Sequence, residues 1–464
     1  MAHAFPPASL PALPDELILQ IVSTFKAVRS EQPQSQAFRN KTEEKGRQRQ
    51  NRLHQAVLSS LSLTSQKFNR ISTPILYSSF IGSTTIHGVG LLRSFLATVM
   101  ARPDLGNCIE YVENRLSDYL GNDLLHDMDF HEAESMVAEY FVKLAILVRR
   151  SPNIRHLCVV SIESIDISFW SHILPDPSLV DRHELAGHGF EKLQTLALQT
   201  NTKFKYAQVS PAASFAVLFT EMGAAPNLTQ LRASGLEFGL VISAWQPFFN
   251  LRRIDLTEIE SEFEDIDRIL DVCNSLERFT CQWAYLNMRE SHIDLLPSIT
   301  RHEDTLETLW LTASASQYDT ANTPVIQLTC LARLTALKEA KLCNFGIRDR
   351  YAFPPGTAWT SPLLSTTLPT SIEHFTIMYP RIWTDTEPYS FDVLSELWHF
   401  SDNCARLLPN LNELVVLFED GPLWAYDSTT GATQNNTTRL TAKFRDLGVR
   451  FQIVSELESC TQCG

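Results

Sequence analysis

Residues 250–256 read NLRRIDL, residues 274–281 NSLERFTC and residues 305–311 TLETLWL. Each holds an apolar residue, two variable ones, an apolar residue, one variable one and a third apolar residue. The phase returns as Ile154–Leu157–Val159, Leu193–Leu196–Leu198, Leu228–Leu231–Ala233, Leu337–Ala340–Leu342, Ile372–Phe375–Ile377 and Leu411–Leu414–Val416. Successive first positions are 23 to 39 residues apart. Strand side chains alternate between faces, so the last two apolar residues of each unit share one face of a short strand. Turn residues often precede the unit: Pro152-Asn153, Pro226-Asn227, Asn250, Asn274-Ser275 and Pro409-Asn410.

Helical periodicity fills several intervals. Residues 132–149 place Met136, Val137, Tyr140, Phe141, Leu144, Leu147 and Val148 on one face. Residues 211–223 use Phe215, Leu218, Phe219 and Met222, residues 262–273 Phe263, Ile266, Ile269, Leu270 and Cys273. Residues 391–408 use Val393, Leu394, Leu397, Trp398, Ala405 and Leu408. Strands alternating with helices predict an α/β fold with parallel strands and outer helices. The repeated phase is the LxxLxL signature of leucine-rich repeats with irregular lengths, and one repeat cannot bury its apolar face alone. The expectation is a curved solenoid over 131–464, closed by a strand at 449–454. Residues 81–130 link and cap it: a helix in 91–112, a turn at Arg102-Pro103-Asp104 and a strand with Ile109 and Val112. Residues 351–369 and 421–440 read as surface loops.

The residues alternating with the inward ones face the other way, onto a surface free for a partner. They include His156 and Cys158, Thr195 and Ala197, Arg253 and Asp255, Arg278 and Thr280, Thr308 and Trp310, Glu339 and Lys341, His374 and Thr376, Glu413 and Val415. Candidate contacts to a target protein are His156, Arg253, Asp255, Arg278, Trp310, Lys341 and His374. An outward aromatic such as Trp310 is typical of a protein-binding hot spot.

Residues 1–80 form a separate small module. In LPDELILQIVSTF, residues 13–25, Pro14 suits a helix start and Asp15 and Glu16 the positive end of its dipole. Leu17, Ile18, Ile21, Val22 and Phe25 follow at helical spacing. A second helix is expected at 54–71, with Leu58, Leu61, Ser65, Phe68 and Ile71 inward and Pro74 as its stop. Between them, residues 26–52 hold eight basic and three acidic residues and read as a mobile, solvated insert. The chain of 464 residues carries a formal charge of −14, split into +5 over residues 1–80 and −19 beyond. Such a body repels a phosphate backbone, which argues against nucleic acid as the main partner. Two short helices bury little, so the module's apolar surface calls for a protein partner or docking on the rest of the chain.

Leu13-Pro14-Asp15-Glu16-Leu17 with Ile18 and Ile21, then Leu61-Ser62-Leu63-Thr64-Ser65-Gln66-Lys67-Phe68, then Thr73-Pro74-Ile75-Leu76-Tyr77, resemble the F-box of fungal F-box/leucine-rich-repeat proteins. The likeness covers about 65 positions, and RPDLGNCIEYV is similar to the segment that follows the box. The sequence departs from the pattern in the insert at 26–52 and in Thr64, where Val is common. The resemblance implies a non-catalytic substrate receptor of a Skp–cullin–F-box ubiquitin ligase. The box would dock on a Skp-type adaptor, and through it a cullin, while the repeats hold an unknown target protein. By position, Leu13, Pro14, Leu17, Ile18 and Ile21 would contact the adaptor. Leu61, Leu63, Phe68 and Ile71 would shape the box core, some also touching the adaptor. The alternative is a scaffold that acts without ubiquitination.

Catalytic motifs are weak. In His183-Glu184-Leu185-Ala186-Gly187-His188 the histidines stand five apart instead of four, so no zinc-protease face forms. Cys460-Thr461-Gln462-Cys463 has no second pair nearby, and Asp127, Asp129, His131, Glu132 and Glu134 lack the glycine of a calcium loop. GxSxG, GxxxxGK[ST] and GxGxxG are absent, and glycine is scarce at 17 residues. No enzyme activity, metal or cofactor is expected. No apolar run spans a bilayer and the first residues do not read as an export signal. With nine cysteines as reduced thiols, the expected place is the cytoplasm or nucleus.

Overall fold

The computed structural model describes residues 13–29, 41–82, 88–114, 130–161, 188–200, 225–235, 248–259, 263–283, 286–287, 293–294, 297–313, 316–317, 326–327, 331–343, 367–379, 393–418 and 432–455. The expected helix at 211–223, the CxxC, and Asp127 and Asp129 lie outside them. The chain divides into two compact units, the first covering 1–213 with 217–228, the second 214–216 with 229–464.

In the first unit, helix α1 (Asp15–Ser23), α2 (Lys41–Thr64) and α3 (Gln66–Leu76) precede strand β1 (Ser79–Ile81). Then come α4 (Gly88–Ala101), a single turn α5 (Pro103–Gly106), β2 (Tyr111–Asn114), α6 (Phe130–Arg149), β3 (His156–Ser161) and β4 (Thr195–Thr200). The four strands are parallel and stack in chain order, with Ser79, Tyr111, His156 and Thr195 in one register row.

Three expectations fail here. The second helix breaks in two at Ser65, whose Oγ accepts the Phe68 N–H at 3.2 Å and caps α3, as a serine outside the helix does. Pro74 lies inside α3, lacks the N–H that would bond the Arg70 carbonyl, and the helix ends two residues later at Leu76. The basic insert is not a solvated loop over its whole length: residues 41–52 begin α2 and are held to the rest of the unit. Asn51 accepts the Val28 N–H at 2.8 Å and donates to the Val28 carbonyl at 3.0 Å. Arg47 donates to Val28 O at 2.7 Å and grips the Glu113 carboxylate of β2 with two bonds, at 2.6 and 3.1 Å. The Tyr111 hydroxyl donates to the same carboxylate.

The second unit continues with β5 (Gln230–Ser234), β6 (Arg253–Ile259), α7 (Phe263–Val272), β7 (Arg278–Trp283), β8 (Thr308–Ala313) and β9 (Glu339–Cys343). After them come β10 (His374–Tyr379), α8 (Val393–Leu407), β11 (Glu413–Phe418), α9 (Ala432–Asp446) and β12 (Arg450–Ser455). These eight strands are parallel and again stack in chain order, while Leu286–Asn287 pairs with Ser316–Gln317 and Ile293–Asp294 with Ile326–Gln327 apart from them. Thus both units are α/β with parallel sheets. A helix replaces the expected loop over 432–440, because Leu440 and Phe444 supply a buried stripe and Phe444 stacks on Phe451 of β12 at 4.8 Å.

Every inward residue of the nine repeats is buried. Helix α6 buries Tyr140, Phe141, Leu144, Leu147 and Val148 as its period requires. On α8 the inner face is Leu397, Phe400 and Cys404, with Leu408 buried just past its end, while Ala405 is exposed and Trp398 half-buried. The turn asparagines also join neighbouring repeats. Asn153 Nδ2 donates to Asn107 O at 2.6 Å, Asn227 Nδ2 to Glu191 O at 2.6 Å and Asn410 Nδ2 to Thr370 O at 3.0 Å. Each satisfies a carbonyl that the turn leaves without a strand partner.

Candidate functional site

Two surfaces hold the residues singled out in the sequence. The first belongs to α1–α3. Ile18, Val22, Leu58, Phe68, Ile71 and Ile75 form a closed core, with Leu13, Phe25, Leu61 and Leu76 packed against it. Ile18 and Phe68 therefore serve internal packing and are not exposed contacts. Leu63 is no core residue: it is 84% exposed, and Leu17, Leu19, Ile21 and Leu53 are exposed too. Pro14 is the exposed cap of α1, and Leu13 and Leu61 are half-buried at the core's rim. Lys67 ties the start of α1 to α3, donating to Leu13 O at 2.6 Å and pairing with Asp15 at 3.2 Å. The module thus packs its own interior and still shows water four leucines and Ile21.

The second surface is the strand face opposite the buried leucines. In the second unit one register row reads Gln230, Arg253, Arg278, Thr308, Glu339, His374, Glu413 and Arg450. The row beside it holds Arg232, Asp255, Thr280, Trp310 and Lys341. Asp255 is buried, contrary to its reading as a surface contact. Its carboxylate accepts Arg253 Nε at 2.6 Å, Arg278 Nε at 3.0 Å and Thr280 Oγ1 at 2.8 Å. Burying a carboxylate is costly unless its oxygens are satisfied, and here two guanidinium groups and a hydroxyl satisfy them. Trp310 is half-buried. The Arg278 guanidinium lies 4.6 Å from its ring centre and the Lys341 ammonium 5.9 Å, both within cation–π range. Its indole N–H donates to Glu339 Oε1 at 3.2 Å.

His374 stands apart from this cluster. It is exposed and pairs with Glu413 at 3.4 Å, which Arg450 also binds at 2.5 Å. His156 belongs to the first unit, where Nδ1 is 3.1 Å from Thr195 Oγ1 and the ring meets Tyr111 edge-on. Burial, then the charges of Arg29 and Arg155, pushes its pKa down to about 4, so the ring is neutral at pH 7. His188, the last residue of the failed HELAGH motif, has both ring nitrogens committed. Nδ1 accepts the Phe190 N–H at 2.9 Å and Nε2 is 3.1 Å from Ser151 O. Among the described residues no group of three His, Cys, Asp or Glu is placed to hold a metal, and no helix is long and apolar enough to cross a membrane.

Sequence reasoning passed over Glu113, Arg47 and Asn51, whose bonds join segments far apart in the chain. It quoted Thr280 and Glu339 among the outward residues without giving them roles, although the alternation placed them beside Asp255 and Trp310. No family model matches the chain, and no curated protein matches it.

Proposed function

We propose that the protein is the substrate-recognition subunit of a Skp–cullin–F-box ubiquitin ligase, with α1–α3 as the F-box and the strand array as an irregular leucine-rich-repeat solenoid. The observation that carries the proposal is the pairing of a self-contained helical module, which leaves Leu17, Ile21 and Leu63 exposed, with a long register of parallel strands. An apolar set of this kind, on a module whose interior is already filled, supports a protein partner, and the F-box resemblance makes that partner a Skp-type adaptor. Leu17, Ile21 and Leu63 become the principal contacts, with Leu13, Pro14 and Leu61 at the margin. The outer strand face, centred on Arg253, Arg278, Trp310 and Lys341, becomes the target surface. The chain itself performs no chemistry. It raises the effective concentration of a target lysine near a ubiquitin-charged enzyme carried by other subunits.

The test is capture of purified adaptor by the full chain and by Leu17→Asp and Leu63→Asp variants. Both side chains are exposed, so the variants keep the module's core. The expected result is loss of adaptor capture with unchanged melting. Capture equal to wild type by both variants sinks the proposal. Cullin recovered with the adaptor and target ubiquitination in the reconstituted ligase support the receptor role. Adaptor binding without cullin favours the scaffold alternative.

A further inference from the structure

We infer that Arg253 and Arg278, aimed by Asp255 and flanked by Trp310 and Lys341, form an anion-binding subsite for an acidic or phosphorylated side chain of an extended protein segment. The inference deepens the proposed function and rests on its assignment of this face to a target.

The argument begins with Asp255. It is buried and takes both arginines by Nε alone, one on each carboxylate oxygen. An arginine bound through Nε keeps both terminal nitrogens available, and these are the donors that match a carboxylate or phosphate in a fork. Among the described residues no hydrogen-bond acceptor takes the terminal nitrogens of Arg253 or Arg278, and the Lys341 ammonium meets only the Trp310 ring. Arg253 and Arg278 are direct register partners on adjacent parallel strands, which brings the two guanidinium groups side by side. Their side chains are 29% and 21% exposed, enough to meet a ligand and too little to move freely. Trp310 restrains Arg278 from one side by the cation–π contact.

Charge selects the ligand's sign. Two arginines and Lys341 face two carboxylates, Asp255 and Glu339. Asp255 is covered by its three donors and spent on them. Glu339 accepts from the Trp310 indole and lies on the β9 side. An anion is therefore favoured over β6 and β7 and discouraged toward Glu339. The cluster lies in the part of the sequence that carries −19, so it is not a share of a general positive surface. The ligand is a protein side chain because Trp310, half-buried beside the arginines, offers an aromatic wall to a neighbouring residue of the same segment.

The test uses the full chain and three degenerate dodecapeptide libraries, identical but for a fixed central phosphoserine, glutamate or serine. The expected result is enrichment of the phosphoserine or glutamate library over serine by about tenfold or more, the scale of a charge-assisted hydrogen-bond pair. Arg253→Gln and Arg278→Lys should abolish the preference. Arg278→Lys keeps the charge and a donor to Asp255 but loses the fork, so a purely structural arginine would leave the preference intact. Equal retention of all three libraries overturns the inference, as does a preference that survives both variants. Inorganic phosphate competing as well as the peptides would also overturn it, by assigning the site to a free ion. Adaptor capture is read on the same proteins. Its loss in the Leu17→Asp variant with the peptide preference intact upholds the subsite; intact capture with no preference refutes the subsite alone.

Discussion

Arg47→Met should release α2 from the sheet of the first unit. Arg47 is 10% exposed and Glu113 fully buried, and the two share a bidentate contact at 2.6 and 3.1 Å. Without Arg47, Glu113 keeps the hydrogen bond from the Tyr111 hydroxyl but loses the guanidinium's charge and its two donors. Removing one partner of a buried ion pair costs about 3–5 kcal/mol. That corresponds to roughly two to three and a half powers of ten in the opening equilibrium of α2. Val28 O is less affected, since Asn51 also donates to it. The assay is amide hydrogen exchange of α2 residues in native buffer, supported by urea unfolding of the full chain. Exchange over 45–64 should accelerate by that factor, while β6 to β12 stay as in wild type. The triple variant Arg47→Met/Tyr111→Phe/Glu113→Leu replaces the ion pair and its hydroxyl donor with apolar groups and should recover most of the loss. The reasoning is refuted if Arg47→Met changes α2 exchange less than about tenfold, or if the triple variant is worse than the single one.

Three further outcomes are expected. Gly106→Ala should destabilise the first unit by about 1–3 kcal/mol or more, since an added Cβ would lie 2.3 Å from the Arg150 carbonyl, backbone that cannot swing aside; an unchanged urea midpoint would contradict this. Tyr140→Phe should leave stability equal or raise it by up to about 1 kcal/mol, because the buried Tyr140 hydroxyl has no hydrogen-bond partner among the described residues; a clear loss in melting temperature would show a hidden partner. Burial, as the main cause, lowers the pKa of His156, His188 and His302. The unfolded chain then takes up protons first, so their contribution is whole above the ordinary pH of about 6.5. For His156 it falls away on acidification toward its folded value of about 4. Melting temperature followed from pH 7.5 to 4.5 should decline less in His156→Gln than in wild type, and identical slopes would refute the assignment.

The strands were legible because their signal is local. Three apolar residues in fixed phase, such as Leu306, Leu309 and Leu311, state both the strand and its inner face within six positions. The same phase gave the outward set that holds Arg253, Arg278 and Trp310. Helices α6, α7 and α8 followed from period, although on α8 the choice of Ala405 over Phe400 and Cys404 was wrong. Composition misled over 41–52, where a strongly polar stretch suggests solvation. Its helix is held by Arg47 on Glu113, 66 residues further along, and by Asn51 on Val28.

By itself the sequence determined the repeat phase, the buried leucines and the direction in which every alternate side chain points, because alternation within a strand is fixed by backbone geometry. Only the tertiary structure decided what those outward side chains do. Asp255 is a buried anchor and Arg278 its aimed partner because strands 25 residues apart in sequence lie side by side. Leu17 is exposed and Ile18 buried because α3 closes over one edge of α1. Such outcomes depend on which polar groups must be satisfied where chains meet, and that meeting is written in no single segment.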